Sequence, residues 1–195
     1  NGLTRQLISL DPSVVFNGSI DDTVAMTHRL EVRAVTTDPL NGQLPEVRFN
    51  GDVGQSLRLA SLAAMAGIQP TTVDAVAGPV LMEPVAMRFG VVSIDGNVST
   101  GGDQTYAGGS IDIGSNDGKP VSLYSESGTI TLLARPDMSA GMRNGENLDI
   151  VLGDDATLSQ QTIELIAQSG LSLSDMVAYV GVLGSALKSG SNTIA

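Results

Sequence analysis

His28 is the one histidine of the chain, so a Ser-His-Asp triad would have to use it. It lies in a polar stretch between Met26 and Leu30, and the sequence contains no G-x-S-x-G nucleophile motif. A zinc site needs three or four nitrogen, sulfur or carboxylate ligands, and one histidine with no cysteine supplies these poorly. The sequence therefore predicts a solvated or hydrogen-bonded His28, with neither a triad nor a zinc centre.

Carboxylates are the second group of residues that could do chemistry. The candidates lie alone or in adjacent pairs along the chain: Asp21, Asp22, Asp112, Asp117, Asp154 and Asp155. Glycoside hydrolysis needs two carboxyls facing each other across a cleft, and spacing along one sequence does not establish that. The segment 115–118 lacks the alternating ligands and the closing Glu of a calcium loop. We interpret these residues as turn residues and a solvated acidic face.

A glycine pair at Gly108 and Gly109 could approach a phosphate group. The Lys-Ser/Thr pair and the following helix of a P-loop are missing there, so we interpret the two glycines as a corner of the chain. Across the sequence these motifs predict no catalytic, cofactor-binding or metal-binding residue. The chain is therefore predicted not to be an enzyme.

Composition narrows the possible partners and the location. The 195 residues carry a formal charge of −11, which disfavours binding to nucleic acid or to anionic lipid. This acidic surface either keeps the protein soluble or binds divalent cations loosely. No apolar run is long enough for a transmembrane helix. Cysteine is absent, and the chain begins at Asn1 without a leader, so we expect a processed exported protein or a piece of a longer one.

Short runs of alternating apolar and polar residues, separated by glycine corners, dominate the chain. These runs predict strands at Val14–Phe16, Leu30–Ala34, Val47–Phe49, Ile111–Ile113, Val121–Tyr124 and Thr129–Leu132. Asn-Gly and Asp-Gly dipeptides, such as Asn17-Gly18, Asn50-Gly51 and Asp95-Gly96, are expected to supply the positive φ angles of tight corners. Many short strands with closely spaced corners favour a sandwich, a barrel or a solenoid.

An internal repeat favours the solenoid. The segment Val14–Ile20 recurs as Val47–Val53, 33 residues later. Each copy leads into an apolar run, Arg29–Ala34 in the first and Ser61–Ala66 in the second. A third, weaker copy is predicted at Thr105–Ile111. If the copies are stacked coils, Phe16 should lie on Phe49 inside the stack.

Two regions break the repeat. Prolines at Pro70, Pro79 and Pro84 predict an insert over 69–87 that protrudes from the stack, because proline cannot donate into a central ladder. After residue 155, helical patterns are predicted at Ser159–Gln168 and Ser174–Lys188.

The resulting domain prediction is a solenoid over 1–155 followed by a helical segment over 156–195. That segment either caps the open end of the solenoid or docks on the next subunit.

Four segments carry a resemblance to a known family: Phe49–Gly54, Leu59–Leu62, Val98–Gly108 and Ser127–Leu132. The Thr-Gly-Gly-Asp-Gln-Thr-Tyr stretch at Thr100–Tyr106 is the most specific of them. Through these segments, the region from Pro45 to Leu133 resembles the repeats of bacterial filamentous-haemagglutinin-like exoproteins, surface adhesins of the two-partner-secretion type. The resemblance implies a right-handed parallel β-helix, a role in adhesion or in a surface filament, and no catalytic residues.

The sequence thus predicts an all-β, right-handed parallel β-helix (β-solenoid) with a short α-helical C-terminal segment. We expect a secreted or bacterial cell-surface protein with a structural or adhesive role, present as a homo-oligomer or filament, with a host-surface or glycan receptor. Two alternatives remain at this stage. One is a polysaccharide-degrading β-helix enzyme, and the other is a phage tail or virion component that forms closed trimers.

Overall fold

The structure is a computed structural model that describes residues 3–10, 13–36, 44–68, 90–114, 120–134, 140–142, 148–168 and 177–179. Within these residues the chain is mostly β-strand with one short helix, which confirms the predicted mostly-β character. The elements are β1 (Leu3–Ser9), β2 (Ser13–Phe16), β3 (His28–Thr36), β4 (Glu46–Phe49), β5 (Ser61–Ile68), β6 (Val91–Ile94), β7 (Val98–Thr100), β8 (Gln104–Ala107), β9 (Ser110–Ile113), β10 (Val121–Ser125), β11 (Thr129–Leu133), β12 (Ala140–Met142), β13 (Leu148–Leu152), β14 (Thr157–Leu158), α1 (Gln160–Gln168) and β15 (Val177–Tyr179).

The strands form three parallel sheets. Sheet A has the order β1-β3-β5-β8-β11-β14, sheet B has β2-β4-β6-β9-β12, and sheet C has β7-β10-β13-β15. From β6 to β14 the chain passes three times through the three sheets, each time in the order sheet B, sheet C, sheet A. Isolated parallel bridges from Ile20 to Val53 and from Val53 to Val98 continue sheet C into the earlier turns. Each parallel neighbour is therefore reached through a crossover that passes along the other two sheets.

The 33-residue repeat is confirmed by the strand register. In sheet B, Val14 lies opposite Val47 and Phe16 opposite Phe49, an offset of 33 residues. In sheet A the two predicted runs pair from their first residues, with Arg29 opposite Ser61, so the offset there is one residue shorter. The rings of Phe16 and Phe49 are stacked, with centroids 5.1 Å apart and an interplanar angle of 5°. The two phenylalanines thus lie in one column of the interior, as the repeat predicted.

The predicted third copy at Thr105–Ile111 is wrong. Tyr106 lies in sheet A opposite Ala64, whereas the residue that follows Phe49 in its column is Ile94. The true third copy is the segment 92–98, in which Val92 lies opposite Val47 and Val98 continues the column of Val53. The predicted match relied on an aromatic residue at this position, whereas the column needs only a large apolar side chain there.

The interior is filled by inward-facing aliphatic residues in columns across neighbouring strands. One such column in sheet A contains Val32, Ala64, Tyr106 and Leu132, and all four are buried. The small Ala64 lies beside the large Tyr106, so volume is balanced between adjacent turns. Burial of each large side chain contributes about 1.5–3 kcal/mol, which makes these columns the main stabilising feature.

The glycine corners are tight because successive turns stack directly on one another. A Cβ at Gly51 would lie 2.6 Å from the carbonyl carbon and oxygen of Gly18, and one at Gly96 would lie 2.5 Å from those of Gly51. Among the described glycines, positive φ is found at Gly54 and not at these corners. The expectation that the dipeptides supply positive φ is therefore wrong at Gly18, Gly51 and Gly96. At Gly51 and Gly96, glycine is needed instead for the close approach of backbones. The Asn50 side-chain amide also donates to Asn17 Oδ1 at 2.7 Å.

The predicted insert over 69–87 lies outside the described residues. The first predicted helix is confirmed as α1. The second, Ser174–Lys188, is wrong at Val177–Tyr179, because these residues form β15 alongside β13. The open parallel edge of β13 offers backbone hydrogen bonds, and this tertiary pairing overrides the helical spacing of the apolar residues. The rest of that predicted helix lies outside the described residues.

Helix α1 packs on the last full strand of sheet A. The strand β14 pairs only with Thr129 and Ile130, so the remainder of β11 needs another partner. Thr162 supplies it, since its hydroxyl accepts a hydrogen bond from Leu132 N at 2.8 Å and donates to Ile130 O at 3.2 Å. Leu165 and Ile166 are buried on the same side. The helix therefore covers part of β11 and binds two of its backbone groups, Leu132 N and Ile130 O.

Substituting the corner glycines tests the close stacking. The variant Gly51→Ala should lower the free energy of unfolding by about 2–3 kcal/mol, because its Cβ overlaps the backbone of the preceding turn. The matched control is Gly18→Ala, whose Cβ meets nothing within 4 Å and should change stability by less than about 0.5 kcal/mol. Urea unfolding measures both. Equal effects of the two substitutions would contradict the stacked corner.

Candidate functional site

The loop that leads from sheet C into β3 is built around the carboxylate of Asp22. It accepts hydrogen bonds from the backbone N–H groups of Thr23 at 2.7 Å, Thr27 at 3.0 Å and His28 at 2.9 Å. The Thr27 hydroxyl and His28 Nδ1 also contact it. Asp22 is buried, so these donors replace the water that the carboxylate loses. The carboxylate of Asp22 therefore holds the conformation of this loop.

Burial and hydrogen bonding act on the pKa of Asp22 in opposite directions. Burial alone would raise it, but the hydrogen bonds from the backbone and imidazole of His28, and from the backbone of Thr27 and Val24, hold the pKa well below its usual range. Asp22 is therefore ionised at neutral pH and holds no proton to donate as a general acid. The negative charge of Asp22 instead strengthens the hydrogen bonds that it accepts within the loop.

His28 is hydrogen-bonded, as the sequence predicted, and it does not complete a triad with its neighbours. Both Asp22 and the Thr27 hydroxyl contact the same ring nitrogen, Nδ1, the latter at 2.9 Å. In a catalytic triad the carboxylate and the nucleophile contact opposite ring nitrogens, so that a proton can pass through the imidazole. Thr27 is therefore not placed as a nucleophile for this histidine.

A pocket of about 190 Å³ lies beside this loop. Apolar side chains of Ile20, Leu30 and Leu59 line it, together with His28 and with Arg5 from β1. The pocket lies at the start of the stack, where β1 extends one strand beyond the neighbouring sheets. No group of three or more metal-ligating residues was found among the described residues.

Of the remaining candidate carboxylates, Asp21 also lines this pocket, whereas Asp112, Asp154 and Asp155 do not. Asp21 Oδ1 accepts hydrogen bonds from Ser56 N and Leu57 N, so it holds the corner of the next turn. Asp112 lies on β9. Asp154 and Asp155 are exposed at the turn that precedes β14. The remaining candidate, Asp117, lies outside the described residues.

The glycine pair Gly108 and Gly109 forms a corner between β8 and β9. Gly108 N donates to Leu133 O at 3.0 Å, and Gly109 N donates to Gly90 O at 2.7 Å. Both N–H groups are used within the stack, which agrees with the interpretation of these residues as a corner.

A buried polar network was missed from the sequence. Gln104 is fully buried, and its side-chain amide donates to Thr100 Oγ1 at 3.1 Å and to Tyr124 O at 2.6 Å. Tyr106 donates its hydroxyl hydrogen to Gln104 Oε1 at 3.0 Å, and burial raises the pKa of Tyr106 well above its usual range. The Thr100–Tyr106 stretch, which carried the family resemblance, therefore joins two sheets. The alternation of apolar and polar residues did not reveal this network, because the polar Gln104 takes an inward-facing position of the column, opposite the apolar Leu62.

The N-terminal edge, which we define as the outer sides of β1 and β2, is the second feature that the sequence analysis missed. Five large apolar side chains are exposed on or beside these strands: Leu3, Leu7, Ile8, Leu10 and Val15. Among the described residues β1 pairs with β3 on one side and with no strand on the other. The sequence did contain a signal for this edge. A strand with one buried face alternates apolar and polar residues, whereas β1 has apolar residues at both odd and even positions.

Comparisons with protein-family models, with curated proteins and with solved structures found no match. The resemblance to filamentous-haemagglutinin-like exoproteins therefore stays a prediction. In the part of the chain that the structure describes, no helix has the length and apolar character needed to span a membrane.

The Asp22 loop predicts a specific acid dependence of stability. Because folding lowers the pKa of Asp22, its stabilisation is present above the ordinary carboxyl pKa of 3.8 and is lost as the pH falls below it. The variant Asp22→Asn should lose about 2–3 kcal/mol at neutral pH and show a shallower loss in acid. Urea unfolding from pH 2 to 7 measures this. The control Asp154→Asn alters an exposed carboxyl. An Asp22→Asn profile parallel to that of the wild type would rule out this role.

The buried network predicts different effects for two tyrosines. Tyr106→Phe leaves Gln104 Oε1 without its donor and should lower the free energy of unfolding by about 1–2 kcal/mol. Tyr124→Phe is the matched control, since the ring of Tyr124 lies beneath the Arg58 guanidinium at 4.7 Å and phenylalanine retains that contact. Thermal and urea unfolding compare the variants. A loss for Tyr124→Phe as large as for Tyr106→Phe would argue against the network.

Proposed function

We propose that this chain is a right-handed parallel β-helix that serves as a structural or adhesive protein of the bacterial surface and self-associates through its N-terminal edge. The exposed apolar strand β1 is the observation that carries the proposal. A long apolar edge strand is normally covered or blocked in a soluble protein, because its free N–H and C=O groups pair with other chains.

The order of the strands supports the β-helix. The chain repeats sheet B, sheet C and sheet A, and equivalent residues of successive turns form columns. Parallel neighbours are about 4.8 Å apart, so five or six turns give a rod of roughly 25–30 Å. Such a rod is short for reaching another surface alone, and it gains length by associating with other copies.

The hydrogen bonds that acidic side chains accept support a structural role for this protein. Asp52 Oδ1 accepts a hydrogen bond from Asn97 N at 2.8 Å, and Asp103 Oδ1 accepts one from Thr129 N at 2.9 Å. Asp21 makes the same kind of contact with the following turn. These three carboxylates each bind a backbone N–H of the next turn at a corner. These carboxylates therefore join one turn to the next.

Self-association is tested on the purified chain by light scattering coupled to size-exclusion chromatography, with negative-stain microscopy. We expect the apparent mass to rise with protein concentration, and Leu7→Lys to abolish the rise by placing a charge on β1. Leu57→Lys is the control, because Leu57 is 40% exposed against 43% for Leu7 and lies outside β1 and β2. A wild-type chain that stays monomeric at every concentration would exclude this function.

A further inference from the structure

We propose that Met26 is a site of reversible oxidation by hydrogen peroxide, and that its conversion to the sulfoxide releases the Asp22 loop, residues 22–28, from the stack. Met26 lies at the corner between sheets C and A, so the proposal does not depend on the N-terminal edge. Three features of this residue carry it: a strained backbone, a contact with a glycine two turns away, and exposure to solvent.

The backbone of Met26 is in the left-handed region, with φ at 58°. Among the described residues other than glycine, Met26 alone has a positive φ. A side chain in this region strains the backbone, so the surrounding structure must hold it there. Met26 N donates to Arg58 O at 2.7 Å, and Asp22 accepts the N–H groups of Thr27 and His28. These hydrogen bonds offset the strain at Met26.

The side chain of Met26 extends across the neighbouring turn to Gly101. A Cβ at Gly101 would lie 2.5 Å from Met26 Sδ and 2.7 Å from Met26 Cγ. The three atoms nearest to that position all belong to Met26, so its thioether fills the space that a side chain at residue 101 would take. Gly101 is buried, and its N–H donates to Leu59 O at 2.8 Å. The apolar thioether thus holds the Asp22 loop against a fixed part of the stack.

Met26 is also accessible to a small oxidant. It is 47% exposed, whereas Met65, the other methionine whose side chain the structure describes, is half-buried. In the reaction, the sulfur gives an electron pair to one oxygen of hydrogen peroxide, and the O–O bond breaks. The leaving hydroxide takes the proton of the transferred oxygen, so the products are the sulfoxide and water. Sulfur is oxidised and the peroxide is reduced.

Oxidation weakens the contact with Gly101. The sulfoxide is polar, and burying it against a glycine backbone without a hydrogen-bond donor is unfavourable. Once the side chain leaves Gly101, the contact no longer offsets the strain of the positive φ at Met26. The hydrogen bond from Met26 N to Arg58 O should then open more often. Methionine sulfoxide reductases restore the thioether, so the change is reversible.

Peptide mapping by mass spectrometry, after mild treatment of the whole chain with hydrogen peroxide, tests the site. Met26 should be oxidised about threefold faster than Met65, because it is more exposed. Gly101→Ala should raise the oxidation rate of Met26 about threefold, since the new Cβ displaces the thioether into solvent. Gly18→Ala is the matched control, because its Cβ meets nothing within 4 Å, and it should leave the rate unchanged.

Amide hydrogen exchange tests the release of the loop. In the oxidised wild type, exchange over residues 22–28 should be about tenfold faster, while exchange in β4 should not change. Met26→Leu keeps an apolar side chain at this position and has no sulfur there. Peroxide should therefore leave the exchange of the loop in this variant unchanged, although the other methionines are still present.

The outcomes are decided on the wild type and Met26→Leu, so they do not require Gly101→Ala to fold. Faster exchange over the loop that a methionine sulfoxide reductase reverses supports the proposal. Oxidation of Met26 that is no faster than that of Met65, or that leaves the exchange unchanged, overturns it. The same response in Met26→Leu also overturns it. Neither measurement involves assembly, so self-association is tested separately.

Discussion

The distance between hydrogen-bonded parallel strands, about 4.8 Å, governs every layer of this structure. Each turn of the chain lies directly on the one before, so each residue meets its counterpart in the neighbouring turn. Inside the stack this places Phe16 on Phe49 and Ala64 beside Tyr106. At the corners it leaves no room for a Cβ at Gly51. Packing and backbone geometry are therefore two results of the same repeat distance.

The same constraint explains why acidic residues lie at the corners, among them Asp21 and Asp22, which first suggested chemistry. A stack of turns has many corners, and each corner leaves backbone N–H groups that need acceptors. Carboxylates of Asp21, Asp52 and Asp103 accept them from the next turn, whereas Asp22 accepts them from its own loop. His28 completes the Asp22 loop, and the Thr27 hydroxyl contacts the same ring nitrogen as Asp22. The acidic residues of the chain thus supply hydrogen-bond acceptors for the backbone N–H groups at its corners.

Much of the fold was predictable because its signals are local or periodic. The alternation of apolar and polar residues identified several of the strands, and the 33-residue repeat gave the register of Phe16 on Phe49. The third copy was missed because Ile94 replaces the aromatic residue and an insert changes the spacing. The strand β15 was missed because its apolar spacing also fits a helix, and only the open edge of β13 decides between them. The buried Gln104 depends on partners from two sheets, which no local pattern contains.

Helix α1 makes the two ends of sheet A different in their hydrogen bonding. The strands between the two ends all pair with parallel neighbours in the same way. Thr162 completes β11 from the side, so the last turn does not depend on how many turns precede it. An additional turn placed between β8 and β11 would lengthen sheet A by one strand spacing and leave β1 and α1 unchanged. Length and end chemistry can therefore vary independently in this architecture, by duplication during evolution or by design.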